Sequence, residues 1–138
     1  MNVNNNLQKF TILIVDDLEQ QRYSLKRTIR QVVNECDFLE AGGTTDTREK
    51  LLEYPHLDLA VIDLDLGDEG EDAGLKVVNM LKKCEFAKVY QRTPVIVVTV
   101  HEKYQESARQ AGADGFIRKL GTSGDEELRS EVKRLLKV

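Results

Sequence analysis

The sequence predicts an α/β fold, a single parallel sheet with helices on both faces, and three observations carry that expectation. Short apolar runs rich in Val, Ile and Leu recur along the chain. Between them, apolar residues return at steps of three, four and seven, the spacing of one helix face. The third observation is how the runs end. Leu13-Ile14-Val15 leads into Asp16-Asp17, Ala60-Val61-Ile62 into Asp63, Val95-Ile96-Val97-Val98 into Thr99, and Gly115-Phe116-Ile117-Arg118 into Lys119. Strands alternating with helices pair in parallel through right-handed crossovers. In open sheets of that kind, chemistry collects outside the carboxyl ends of the strands.

Residues 1–9 are polar and Asn-rich and read as a loose tail ahead of one domain over residues 10–138. The first strand covers Phe10 to Val15, and a helix follows with Leu18, Leu25, Ile29 and Val32 on its inner face. Phe38 to Ala41 forms a second strand, broken by Gly42-Gly43. Thr45 or Asp46 is placed to cap a second helix that runs to about Glu53, with Leu51 and Leu52 turned inward. Pro55 punctuates before a third strand, Leu57 to Ile62, and a glycine-bearing acidic loop leads to a third helix near Gly74, with Leu75, Val78 and Leu81 on one face. Phe86 to Arg92 reads as connection, and Pro94 opens the fourth strand. A fourth helix carries Tyr104, Ala108 and Ala111 and stops at Gly112. The fifth strand is Gly115 to Arg118, and a fifth helix, capped by Ser123 or Asp125, presents Leu128, Val132, Leu135 and Leu136. No internal repeat or second domain is visible.

The chain's 138 residues suit one core. With 41% hydrophobic and 32% charged residues, composition is that of a soluble globular domain. No apolar run approaches the roughly 20 residues of a membrane span. The start, Met-Asn-Val-Asn-Asn-Asn, lacks the pattern of a signal peptide. A cytoplasmic location without membrane contact follows by default. A net charge of −4 argues against direct nucleic-acid binding. Cys36 and Cys84 have only His56 and His101 as nitrogen co-ligands and no C-x-x-C spacing, so they read as packing or surface thiols, not as a zinc site or disulfide.

Asp16, Asp17, Asp63 and Asp65 would bring several carboxylates to one edge, where like charges repel unless a cation intervenes. An oxygen-only donor set selects a hard ion, and Mg²⁺ with retained waters fits better than zinc. Beside it, a carboxylate, a lysine and a hydroxyl form a set of groups for handling a phosphoryl group. Asp63 is the candidate nucleophile, with Lys119 and Thr99 as partners of the phosphoryl oxygens. Taken singly, Asp16 or Asp17 would read as a helix cap, Thr99 as a strand-end residue and Lys119 as a solvated charge. Four complementary strand endings in one chain favour the joint reading, with the second strand on the sheet's flank.

These motifs resemble those of response-regulator receiver domains of two-component signalling. They are Ile12-Leu13-Ile14-Val15-Asp16-Asp17, Val61-Ile62-Asp63-Leu64-Asp65-Leu66, Val97-Val98-Thr99 and Ala111-Gly112-Ala113-Asp114-Gly115-Phe116-Ile117-Arg118-Lys119. The resemblance covers nearly the whole chain after the tail. It implies a flavodoxin-like (CheY-like) doubly wound sheet in strand order 2-1-3-4-5 with five helices. It implies that Asp63 accepts a phosphoryl group from the phosphohistidine of a histidine kinase or histidine phosphotransfer protein. Asp17, Asp63 and the backbone carbonyl of Asp65 would ligate Mg²⁺ directly, and Asp16 would act through a bound water. Lys119 would contact the phosphoryl group, Thr99 would move toward it, and Phe116 would be the switch aromatic. The face formed by the fourth helix, fifth strand and fifth helix would then engage a downstream protein target. Such a domain is not an enzyme beyond its own phosphorylation and dephosphorylation.

The sequence also departs from the family pattern. Leu120 follows Lys119 where proline is usual, and a cis bond there would cost about 3–4 kcal/mol, so a trans bond and a reshaped loop are expected. Leu66-Gly67 replaces Met-Pro, and Gly74-Leu75 arrives later than usual, eleven positions after Asp63, because the loop carries extra acidic residues. That loop reads either as a solvated insertion or as a partner-selecting element. Val100, bulkier than the usual small residue, would narrow access to the phosphoryl group. His101 and Asp65 stand where the family tunes dephosphorylation, although His101 reads equally as an exposed helix-start residue. Phe116 lacks a hydroxyl, so its inward state would rest on packing alone.

Two other readings compete. A receiver-like interaction module without phosphorylation would fit the departures at Val100 and Leu120. A haloacid-dehalogenase-type phosphatase shares the Asp63-Leu64-Asp65 motif, but there the paired acids come last, and here they come first. The final helix runs to the end of the sequence, which fits a stand-alone regulator or a receiver from a longer protein. Homodimerisation is left open.

Overall fold

A computed structural model describes residues 9–54, 56–119 and 121–138. Five strands, β1 (Phe10–Val15), β2 (Cys36–Ala41), β3 (Leu59–Asp63), β4 (Val95–Thr99) and β5 (Gly115–Arg118), form one sheet in the order β2-β1-β3-β4-β5. Every neighbouring pair is parallel, with Val15 beside Ile62, Asp63 beside Val98, and Thr99 beside Arg118. The helices are α1 (Glu19–Arg30), α2 (Thr44–Glu53), α3 (Gly74–Lys82), α4 (Ala87–Tyr90), α5 (Gln105–Ala111) and α6 (Gly121–Leu136). The doubly wound architecture and its strand order are those expected. The expected tail, Lys9 excepted, lies outside the described residues, as do Pro55 and Leu120 with its peptide bond.

The core follows from strand periodicity, because successive side chains point to opposite faces. Leu13 and Val15, Ala60 and Ile62, and Val95 and Val97 join the layer beneath α2, α3, α4 and α5. Ile12 and Ile14, Leu59 and Val61, Ile96 and Val98, and Ile117 join the layer beneath α1 and α6. β3 and β4 are buried along their whole length, which explains their unbroken apolar runs.

Several local expectations shift. The connection from Phe86 to Arg92 contains the one-turn helix α4, because Tyr90 is drawn into the core. Its hydroxyl donates to the Leu51 carbonyl at 3.2 Å and to the Tyr54 carbonyl, pinning α4 to the end of α2. Gly43, not Thr45 or Asp46, precedes the first turn of α2, and Asp46 reaches back to accept the Gly42 amide at 2.9 Å. Leu51 is buried, but Leu52, one step around the helix, is exposed. Leu18 is also exposed, ahead of α1, and Val33 takes the core position beyond the helix. β3 begins two residues later than expected, at Leu59. α6 already begins at Gly121, so Ser123 and Asp125 lie inside it and cannot be its cap. α5 is preceded by a 3-10 turn, Glu102–Tyr104, and ends at Gly112 in the left-handed region.

Gly74 fixes how closely α3 packs on β3. A Cβ there would strike the Asp63 carbonyl oxygen and come within 2.7 Å of the Leu64 Cα, while its amide donates to the Leu64 carbonyl at 2.8 Å. The start of α3 therefore rests on the backbone that delivers Asp63.

Candidate functional site

The carboxyl edge of the sheet gathers Asp16, Asp63 and Lys119. Each lies two positions beyond an apolar residue of the α1/α6 layer, Ile14, Val61 and Ile117, so strand alternation turns all three to that side. The Lys119 ammonium lies 3.0 Å from Asp16 Oδ2 and 3.0 Å from Asp63 Oδ2. Asp16 is fully buried and Asp63 nearly so. The Lys119 amide donates to the Thr99 carbonyl at 2.8 Å, extending the β4–β5 pairing by one residue and setting where the lysine leaves the sheet. The other oxygen of Asp63, Oδ1, accepts the Asp65 amide at 3.0 Å.

Burial pushes the Asp63 carboxyl up to about 6, Lys119 opposes the rise, and the charge of Asp16 adds to it. Burial works against the Lys119 ammonium, but Asp63 and Asp16 outweigh it and hold it above the ordinary lysine value. Asp17 stands at the exposed rim, its carboxyl raised by partial desolvation and by Asp16.

Asp16 is held from below by a group that sequence reasoning missed. Arg22 on α1 donates Nη1 to the Asp16 carbonyl at 2.7 Å and Nε to Glu40 at 3.1 Å, and Lys26 joins Glu40 at 2.7 Å. Arg22 and Lys26, four apart, share one helix face toward β2. That spacing is legible in the sequence, whereas their partner is not.

The remaining predicted residues surround this core. Thr99 is buried, and its hydroxyl accepts the His101 amide at 3.2 Å. His101 Nε2 lies 3.4 Å from Asp65 Oδ2, bringing together the two expected tuning positions. Val100 is half-exposed and lines, with Lys119, Leu25 and Leu128, a cleft of about 380 Å³ between α1 and α6. Phe116 is half-buried against the layer beneath α3 and α5.

The oxygen-only donor chemistry suits Mg²⁺. Among the described residues no three His, Cys, Asp or Glu side chains form a ready-made cage. Mg²⁺ needs none, since it keeps several waters and takes one or two carboxylates. Cys36 and Cys84 are free thiols. No helix among the described residues is long and apolar enough to cross a membrane.

Comparison with known proteins gives one family. The model of the response regulator receiver domain matches residues 12–133. Among solved structures, a signal receiver domain of two-component signal transduction (histidine kinase) from Clostridium thermocellum is similar, with 22% identity, a TM-score of 0.80, and 94% of this chain and 98% of that one covered. The phosphorylated cyanobacterial phytochrome response regulator RcpA is 15% identical, with a TM-score of 0.76 over 94% of this chain and 95% of its own. The BeF3-activated DrrB receiver domain is 21% identical, with a TM-score of 0.70 over 95% and 100%. A search of curated proteins returns no match. Receiver domains serve two-component signalling as phosphoacceptors and are not enzymes in the usual sense. The match spans most of the sequence and agrees with the strand order and the resemblance read from the motifs, so this chain belongs to the response regulator receiver domain family.

Proposed function

We propose that this receiver takes a phosphoryl group onto Asp63 from a phosphohistidine of a histidine kinase or histidine phosphotransfer protein in the cytoplasm. The observation that carries the reading is Lys119, 3.0 Å from carboxylate oxygens of both Asp16 and Asp63 at the ends of three strands. An Asp63 oxygen attacks phosphorus, the phosphorus–nitrogen bond breaks, and the imidazole leaves with the bonding electron pair and takes up a proton. Lys119, already beside Asp63 Oδ2, follows the new charge onto a phosphoryl oxygen. The Asp65 amide on Oδ1 holds the carboxylate in one orientation. Asp17, Asp63 and the Asp65 carbonyl would hold Mg²⁺, with Asp16 acting through a water. Bound there, the ion would neutralise charge on the transferring group.

The acyl phosphate biases a two-state equilibrium. Thr99 exchanges the His101 amide for a phosphoryl oxygen, and Phe116 packs further inward. The face of α5, β5 and α6 then changes for a downstream protein target. Hydrolysis of the acyl phosphate returns the free carboxylate, and Val100, His101 and Asp65 set its rate.

The test is phosphorylation by acetyl phosphate or phosphoramidate, followed by intact mass. One phosphoryl group should be gained, dependent on Mg²⁺ and lost in Asp63→Asn. Folded protein that binds Mg²⁺ but gains no phosphoryl group would leave an interaction module as the reading.

A further inference from the structure

The acidic loop between β3 and α3 is tied down on both sides. Glu69 accepts the Thr44 amide, 3.2 and 3.3 Å from its two oxygens, at the first turn of α2. Two residues on, Glu71 accepts the Tyr104 hydroxyl at 2.5 Å, pairs with the Lys103 ammonium at 2.9 Å, and lies 3.8 Å from His101 Nε2. α2 follows β2 and the Tyr104 turn follows β4, so the loop straps across the end of β3 between them. The Tyr104 hydroxyl and Lys103 hold the Glu71 carboxyl down at about 2, so it stays charged throughout the physiological range.

What Glu71 grips is the segment that leaves the switch threonine. His101 begins it, its amide on the Thr99 hydroxyl, its ring toward Asp65 and edge-on to Tyr104, with ring centroids 6.1 Å apart. A threonine that turns to a phosphoryl group gives up the His101 amide, and the backbone beyond it must adjust. Contacts made in one state alone shift the balance by their full differential worth.

We propose that Glu71 is a latch, a positioning residue that holds residues 101–104 against the loop after Asp63 and so favours the phosphoryl-free arrangement. The latch rests on Asp63 being the phosphoacceptor. It gives the extra acidic residues a role that neither a solvated insertion nor a partner-selecting loop requires.

Beryllofluoride, with which the DrrB receiver was activated, is the probe. Its affinity for the full chain with Mg²⁺, read by calorimetry or fluorine NMR, measures the equilibrium without a kinase. Glu71→Ala should bind beryllofluoride more tightly than wild type, about threefold, because its surface contacts are screened by solvent. Tyr104→Phe should shift affinity in the same direction, and adding it to Glu71→Ala should add little. Equal or weaker binding by Glu71→Ala would overturn the latch. If wild type and Glu71→Ala both bind Mg²⁺ but neither binds beryllofluoride, the phosphoacceptor reading falls, and the latch with it.

Discussion

Gly74→Ala probes the contact on which the site's geometry depends. The added methyl would meet three backbone atoms, the Asp63 carbonyl oxygen, the Leu64 Cα at 2.7 Å and the Asp63 carbonyl carbon at 3.0 Å. None is the end of a side chain that can swing away, and β3 is buried throughout. Alanine in a helix gains up to about 1 kcal/mol over glycine. Overpacking a tight core costs about 1–3 kcal/mol, and rigid backbone neighbours put this site at the upper end. The net expectation is a loss of about 2 kcal/mol, or about 6 °C in melting temperature for a domain of this size. Urea unfolding checks the first figure and thermal unfolding the second. The atoms displaced also carry Asp63, so phosphorylation by acetyl phosphate should slow more than stability alone explains. A Gly74→Ala protein as stable as wild type and phosphorylated as fast would refute the reasoning.

Three further outcomes follow from the same geometry. Lys119→Met leaves the buried Asp16 and Asp63 carboxylates without their ammonium, and it should cost about 2 kcal/mol after allowance for the lysine's partial exposure; Mg²⁺ should restore more stability to the variant than to wild type in urea titrations. Tyr90→Phe removes the donor shared by the Leu51 and Tyr54 carbonyls and should lower stability by about 1 kcal/mol, read by thermal unfolding. The hydrogen bond from Lys26, and then that from Arg22, holds the Glu40 carboxyl below its ordinary value. Its contribution is therefore full above the unfolded value near pH 4 and fades as pH falls through the lower folded one. Glu40→Gln should cost about 1 kcal/mol at pH 7 and almost nothing in acid, measured by urea unfolding across pH.

The strands and the Asp16, Asp63 and Lys119 cluster were legible because each signal is local. An apolar run states its own burial, and a polar residue at its end marks the sheet edge. Leu51 and Leu52 show where local signals stop, since adjacent helical residues face directions about 100° apart and only the packed neighbour decides which is inside. α4 was hidden for a similar reason. Tyr90 is buried because carbonyls thirty-six and thirty-nine residues away receive its hydroxyl. The acidic loop carried a composition but no address, since Glu69 and Glu71 find partners that only the fold brings near. Arg22 likewise looks like any helix-surface arginine until Asp16 and Glu40 are placed beside it.

The division of the core by the sheet has an evolutionary consequence. One apolar layer belongs to α1 and α6 and the other to α2, α3, α4 and α5, with a fully buried strand pair between them. Substitutions in separate layers share no packing partner, and effects at sites more than about 7–10 Å apart add with little coupling. Drift on the α1 side, where the cleft opens beside Lys119, can proceed without disturbing the layer that carries Phe116. The two faces of the sheet can then diversify on separate schedules, each tolerating change that the other never registers.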